Sequence, residues 1–81
     1  MMKCTQYFIR TRKRGDRKNI DLKWIQHVVM NPEHKEIQID GRIRCWRKIE
    51  EAENRYLRVV LLEDGETVHN AFFDRSFKER G

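Results

Sequence analysis

Apolar positions along the chain change their period from segment to segment, and each change marks an element. Residues 4–13 are the least decisive: a helix aligns Cys4, Phe8 and Arg12, whereas a strand aligns Tyr7 with Ile9. The strongly charged run that follows favours the helix. From residue 20 the pattern is firmer. Asp21 stands where a carboxylate accepts from the free N–H groups of a first helical turn. Ile20 and Ile25 have the spacing of a hydrophobic staple, and Leu22, Ile25, Val28 and Val29 form one apolar stripe. Asn31-Pro32 ends this helix, because proline cannot continue it and disfavours helical geometry in the residue before it.

After Pro32 the period falls to two. Residues 36–39 alternate, Asp40-Gly41 turns, and residues 42–46 alternate again, which predicts a hairpin. A two-residue loop would set Ile37 against Arg44. A three-residue loop over 39–41, with Gly41 in the left-handed region, pairs Ile37 with Ile43 and keeps apolar beside apolar. Residues 50–54 form a polar, acidic connection with room for a short helical turn. Residues 56–62 are apolar on both parities, as a central strand is. Asp64-Gly65 marks a second hairpin turn, residues 67–73 a fourth strand and residues 74–81 a charged C-terminal tail.

The expected fold is therefore α+β, with one or two N-terminal helices packed on one face of a four-stranded, mainly antiparallel sheet. It forms a single domain over residues 1–81 with its core in about residues 5–77. A two-residue turn at 64–65 would pair Leu61 with Val68, Val59 with Asn70 and Leu57 with Phe72. The helix-side face then collects Leu57, Val59, Leu61, Val68 and Phe72, joined by Ile37 and Ile43, under the stripe Leu22, Ile25 and Val29. The reverse face collects Tyr56, Arg58, Val60, His69, Ala71 and Phe73 from one hairpin, and Arg42, Arg44, Trp46 and Lys48 from the strand beside it. Basic and aromatic side chains interleave there. Single-stranded nucleic acid needs both, cations for phosphate and flat rings for exposed bases. Two plainer readings stand beside this one: an ordinary polar outer face, or a protein contact built on Val60, Leu62, Phe73 and Trp46.

Charge sharpens the picture. The chain has 81 residues and a net charge of +5. Residues 1–48 hold 13 Lys/Arg against 5 Asp/Glu, and residues 49–81 hold 5 against 8, so the positive field belongs to the first half. Such a field favours phosphate-bearing partners. Arg12, Arg14 and Arg17 lie in the run 10–18, which reads as a phosphate clamp or as a solvated turn. A core this thin leaves little room for a buried cofactor. The three histidines are scattered and no Cys-x-x-Cys occurs, so neither a metal nor a cofactor is expected. The longest apolar run, 59–62, is far short of the roughly 20 residues of a membrane span. No apolar stretch follows Met1-Met2-Lys3, so the expected location is cytoplasmic, without a membrane partner.

RNA can be cleaved without a metal when one group takes the proton of the attacking 2′-hydroxyl, another protonates the leaving oxygen, and cations hold the phosphorane-like charge. His69 suits either proton role. Arg44, Arg58 and Arg75 could hold phosphate in a two-pronged grip, and Tyr56 could assist or stack. His27 and His34 read as structural or solvent-exposed, Asp40 as a turn residue and Cys45 as packed and inert. Phosphate-binding glycine loops, nucleophile elbows and metalloprotease motifs are absent.

Several segments together also carry a resemblance. Asp16-Arg17 precedes Ile20 and the capped helix ending in Asn31-Pro32. Asp40-Gly41-Arg42-Ile43-Arg44-x-Trp46, Arg55-Tyr56-Leu57-Arg58-Val59-Val60 and Asp64-Gly65-x-Thr67-Val68-His69-Asn70-Ala71-Phe72-x-Asp74-Arg75 follow. Over about residues 5–77 this resembles a group of small bacterial proteins whose layout is similar to the RelE- and BrnT-type toxin ribonucleases of toxin–antitoxin systems. The resemblance implies helices on one face of a curved antiparallel sheet and RNA on the other. It implies active-site Arg, His, Lys or Tyr from the strands and the C-terminal end, where Arg44, Arg58, His69 and Arg75 fall.

The functional expectation is an RNA-binding, toxin-like domain for single-stranded RNA, with metal-independent RNA cleavage as its stronger form. His69, Arg58, Arg75 and Tyr56 are the candidate catalytic residues. Arg42, Arg44, Trp46, Lys48, Phe73, Arg12, Arg14 and Arg17 are the candidate RNA-binding residues. The rival expectation is a non-catalytic interaction module, a homodimer or the partner of an antitoxin-like protein.

Overall fold

A computed structural model of the chain describes residues 2–15, 17 and 19–77. Asp16 and Lys18 of the charged run, and tail residues 78–81, lie outside the described residues. Helix α1 spans Gln6–Thr11 and is capped by Thr5, whose hydroxyl accepts from the Phe8 amide at 3.1 Å. Phe8 and Thr11 are buried, with Cys4 and Arg12 half-buried on either side, which is the helical alignment. Helix α2 spans Leu22–Met30. The Asp21 carboxylate accepts from the Lys23 amide at 2.9 Å, and Asn31 closes the helix before Pro32. Ile25 and Val28 are buried and Val29 packs against them. Leu22, expected in the stripe, is 45% exposed, and Ile20 fills the buried corner next to Ile25 instead.

The strands are β1 (His34–Ile37), β2 (Ile43–Ile49), β3 (Arg55–Leu61) and β4 (Val68–Phe73), antiparallel in the order β1-β2-β3-β4. The first hairpin has its expected register, Ile37 opposite Ile43. The Gln38 amide donates to the Arg42 carbonyl at 2.8 Å, and Gly41 sits at φ +91, a region that L side chains rarely adopt. A 3₁₀ turn, Glu50–Ala52, leads to Glu53 and Asn54, both left-handed, and these reverse the chain into β3. Leu57, Val59 and Leu61 are buried under the helices, as expected of the central strand. Cys45 is buried beside them as a free thiol whose pKa burial raises, so it is inert packing.

β4 departs from its expected register. Leu61 does pair with Val68, but Val60 then pairs with Asn70, Val59 with Ala71 and Leu57 with Phe73. His69 is an extra residue, a bulge, and every side chain after it changes face. The Asn70 side-chain oxygen accepts from the amide of Ala71 at 3.0 Å, a local bond that competes with the ladder. Ala71 and Phe73 therefore face the helices and Phe72 faces away, the reverse of the simple alternation. Phe73 meets Trp24 of α2 edge-on at 6.2 Å, with the Arg55 guanidinium 4.1 Å from its ring centre.

The two sheet edges differ. Residues 3–5 cover β4, with the Thr5 amide donating to the Val68 carbonyl and the Val68 amide to the Lys3 carbonyl. β1 is the opposite edge. The helices pack on β2, β3 and β4. Ile37, although on the helix-side face, is therefore 72% exposed. Among the described residues no helix is long and apolar enough to cross a membrane.

This division of the sheet is testable by denaturation in urea. Leu57→Ala, at a fully buried position, is expected to lower stability by about 2–5 kcal/mol. Ile37→Ala is expected to change it by less than about 0.5 kcal/mol.

Candidate nucleic-acid face

Antiparallel pairing sets the reverse-face side chains in cross-strand rows. One row is Glu36, Arg44, Val60 and Asn70. The next is His34, Trp46, Arg58 and Phe72. The third holds Lys48 and Tyr56, and there the Asp74 amide donates to the Tyr56 carbonyl at 2.9 Å. Among the described residues no helix covers these rows. α1 and the following turn instead flank them at β4, where the Arg17 guanidinium donates to the Asn70 side-chain oxygen at 3.0 Å and lies 5.4 Å from the Phe72 ring centre.

Arg58 is the electrostatic centre of the face. Its guanidinium lies 5.1 Å from the Phe72 ring centre and 5.6 Å from that of Trp46. Asp74 approaches to 3.7 Å, an ion pair too long for a hydrogen bond. The Arg58 Nε is buried and has no hydrogen-bond partner among the described residues. Burial, and then the neighbouring Arg44 cation, press the Arg58 pKa down, and Asp74 pushes back. A guanidinium stays charged in a protein, so this pressure is an unmet demand for negative charge. Arg44 beside it is held by Gln38, whose side-chain oxygen, turned towards the guanidinium, accepts from Nη2 at 2.6 Å and Nε at 3.2 Å.

Trp46 is not the open stacking platform that alternation suggests. It is 4% exposed. Its indole N–H donates to Asp74 at 3.0 Å, and the Phe77 ring stacks on it at 5.0 Å, 17° from parallel. His34 and Tyr56 flank the same Phe77 ring at 5.6 and 4.9 Å. Segment 74–77 thus folds back across the middle of the face.

His69 stands at the β4 bulge. Its Nδ1 shares a 3.1 Å hydrogen bond with the Thr5 hydroxyl and its ring stacks on Tyr7 at 4.8 Å. Partial burial, and then the Arg42 charge, lower its pKa below the ordinary 6.5 and leave it neutral at pH 7. Tyr56 lies four residues from Val60, the partner of Asn70, so about 13 Å of strand separates it from the His69 end. Arg75 is exposed in the turn beyond β4. The four candidate catalytic residues therefore do not form one constellation.

The candidate binding residues divide as well. Arg44, Trp46 and Lys48 share the face with Arg58, and Arg17 reaches its rim. Arg42 is exposed and pairs loosely with Asp40 at 3.8 Å, while Asp40 also accepts from the Arg42 amide as a turn residue. Arg14 is exposed in the turn after α1. Arg12 is half-buried beside Phe8, Ile20 and Ala71 and belongs to the core's margin. Phe73 lies on the helix side, and Phe72 takes its place on the face. Alternation missed Phe72, His34 and Phe77. His34 was accessible in principle, because the register Ile37–Ile43 extended by three residues sets it opposite Trp46. Among the described residues no three His, Cys, Asp or Glu side chains group as metal ligands. An open cleft of about 690 Å³ between α2 and the end of β2 is lined by Trp24, His27, Arg47 and Glu51. Arg47 there donates to His27 and to the Asn31 carbonyl, closing the end of α2.

Comparison of the chain with models of known families, with curated proteins and with solved structures gives no match.

Asp74 ties the segment to the sheet, and pH tests the tie. Burial opposes its ionisation, but hydrogen bonds from the Ser76 hydroxyl, the Trp46 indole and the Ser76 amide, with the Arg58 charge, outweigh burial and hold its pKa below the ordinary 3.8. That stabilisation is complete above the unfolded-state value and is lost as pH falls through the lower folded value. Asp74→Asn is expected to reduce stability by about 1–2 kcal/mol at neutral pH. Urea titrations should show the gap narrowing only below about pH 4.

Proposed function

We propose that the reverse face binds single-stranded RNA. The carrying observation is the adjacent pair Arg44 and Arg58, two cations on neighbouring strands, with Asp74 3.7 Å from Arg58 and Glu36 paired across the strands from Arg44. A phosphodiester supplies the missing anion and can bridge both guanidiniums. Lys48, Arg17 and Arg42 extend the positive track along and beside the face. Phe72, half-exposed between Arg17 and Arg58, offers a ring to an unpaired base. The resemblance to the toxin ribonucleases points to the same partner.

Cleavage on this face would centre on His69. The neutral imidazole would take the 2′-hydroxyl proton as that oxygen attacks the adjacent phosphorus. The bond to the 5′-oxygen would break, giving a cyclic phosphate and a 5′-hydroxyl once the leaving oxygen regains a proton. Arg42 is the cation nearest this step, while Tyr56 and Arg75 serve binding at the far end.

Binding to a labelled RNA of about eight nucleotides is expected at low salt, weakening steeply as salt rises. Arg44→Ala is expected to lower affinity about tenfold, the worth of one charge-assisted contact. His69→Ala should leave affinity within about threefold while removing any cleavage. A wild-type protein that binds no RNA at low salt would sink the proposal.

One observation favours a protein partner as a second reading. The β1 edge exposes Ile37 at 72% and Ile39 fully, an open template for an added strand. Light scattering checks this: Ile37→Lys should abolish a dimer if that edge forms one, and a strict monomer at high concentration removes the homodimer reading.

A further inference from the structure

Segment 74–77 is held to the face in an unusual manner. Up to Asp74 it continues the ladder, through the Asp74 amide and the Tyr56 carbonyl. Beyond that point its hydrogen bonds among the described residues are local, from the Ser76 amide and hydroxyl to the Asp74 carboxylate at 3.0 and 2.6 Å. Among the described residues its remaining hold is one carboxylate and one ring. The carboxylate takes the Trp46 indole N–H and faces Arg58 at 3.7 Å. The Phe77 ring lies flat on Trp46, flanked by His34 and Tyr56.

An anion at a guanidinium, with a flat ring stacked on an indole beside it, is the set of groups that one nucleotide presents. We infer that Asp74 and Phe77 occupy, in the free protein, the seat of one nucleotide of the bound strand. The phosphate belongs at Arg58 and Arg44 and the base on Trp46. The inference rests on the RNA-binding reading and deepens it, by naming the subsite and what fills it. A carboxylate is a poorer partner than a phosphate here, since it stays at ion-pair distance and leaves the Arg58 Nε without an acceptor among the described residues. The segment lifts without breaking any strand pairing beyond Asp74, because Phe77 is held by ring contacts alone among the described residues. Binding then exchanges one stacked ring for another, and the strap sets a threshold on affinity.

The experiment compares wild type and Phe77→Ala for binding the same short RNA at low salt, and follows both indole N–H resonances of the wild type by NMR during the titration. Phe77→Ala is expected to bind about threefold to tenfold more tightly, the range an aromatic pair contributes. The Trp46 indole signal should move as its bond to Asp74 is lost, while that of Trp24, on the helix side, stays in place. If wild type binds but Phe77→Ala binds equally or more weakly, or the Trp46 signal does not move, the strap is overturned and RNA binding stands. If neither protein binds, the reading of the face falls and the inference with it. Should Phe77→Ala fail a thermal-melting check of its fold, the wild-type indole signals decide the matter alone.

Discussion

The arrangement of the reverse face depends on one constraint, the register shift in β4, where the amide of Ala71 donates to the side chain of Asn70 at 3.0 Å. It accompanies the extra residue His69 in β4 and displaces everything after it by one position. Without the bulge, Ala71 would lie opposite Arg58, Phe73 opposite Tyr56, and Phe72 would be pressed into the helices. With it, Phe72 covers Arg58, Ala71 and Phe73 close the core, and Asp74 emerges over Tyr56 and Trp46. The same bulge holds His69 against Thr5 and Tyr7. One local backbone choice thus links the helix at one sheet edge to the ring cluster at the middle.

From that register follows an uneven distribution of charge. The helix side buries the apolar core under α1 and α2. The reverse side sets Arg44 and Arg58 close together with Asp74 beside Arg58, and a ring lies over the one indole nearby. Like charges held together in a partly buried place favour an incoming anion over water. The face is not uniformly positive, since Glu36 shares the row of Arg44. The positive track therefore runs from Arg17 and Arg42 past Arg44 and Arg58 to Lys48, rather than spreading over the whole sheet.

Much of this was legible in the chain. The capped helix before Asn31-Pro32, the three-residue loop ending at Gly41 and the central strand follow from patterns whose physics is local. The four-stranded antiparallel sheet with helices on one face follows from their sum. The phase of β4 did not, because alternation counts residues and a bulge adds one without an apolar signature. Period alone marks Leu22 and Ile37 as core, but the helices pack on β2, β3 and β4 and leave Ile37 on β1 open, and Ile20 takes the buried corner beside Ile25 in place of Leu22. Trp46 was read as open because a ring covering it from residue 77 is a contact across 31 positions, beyond any local pattern. Phe77 escapes for the same reason, whereas His34 follows from extending the Ile37–Ile43 register by three residues.

The central claim, that Arg44 and Arg58 form the phosphate seat on a face that takes single-stranded RNA, is tested most directly by a crystal structure of the protein with a short single-stranded RNA. The account predicts a backbone phosphate between the two guanidiniums with a base against Trp46 or Phe72. RNA lodged instead in the cleft between α2 and β2, or along the β1 edge with the Arg44–Arg58 pair untouched, would contradict it.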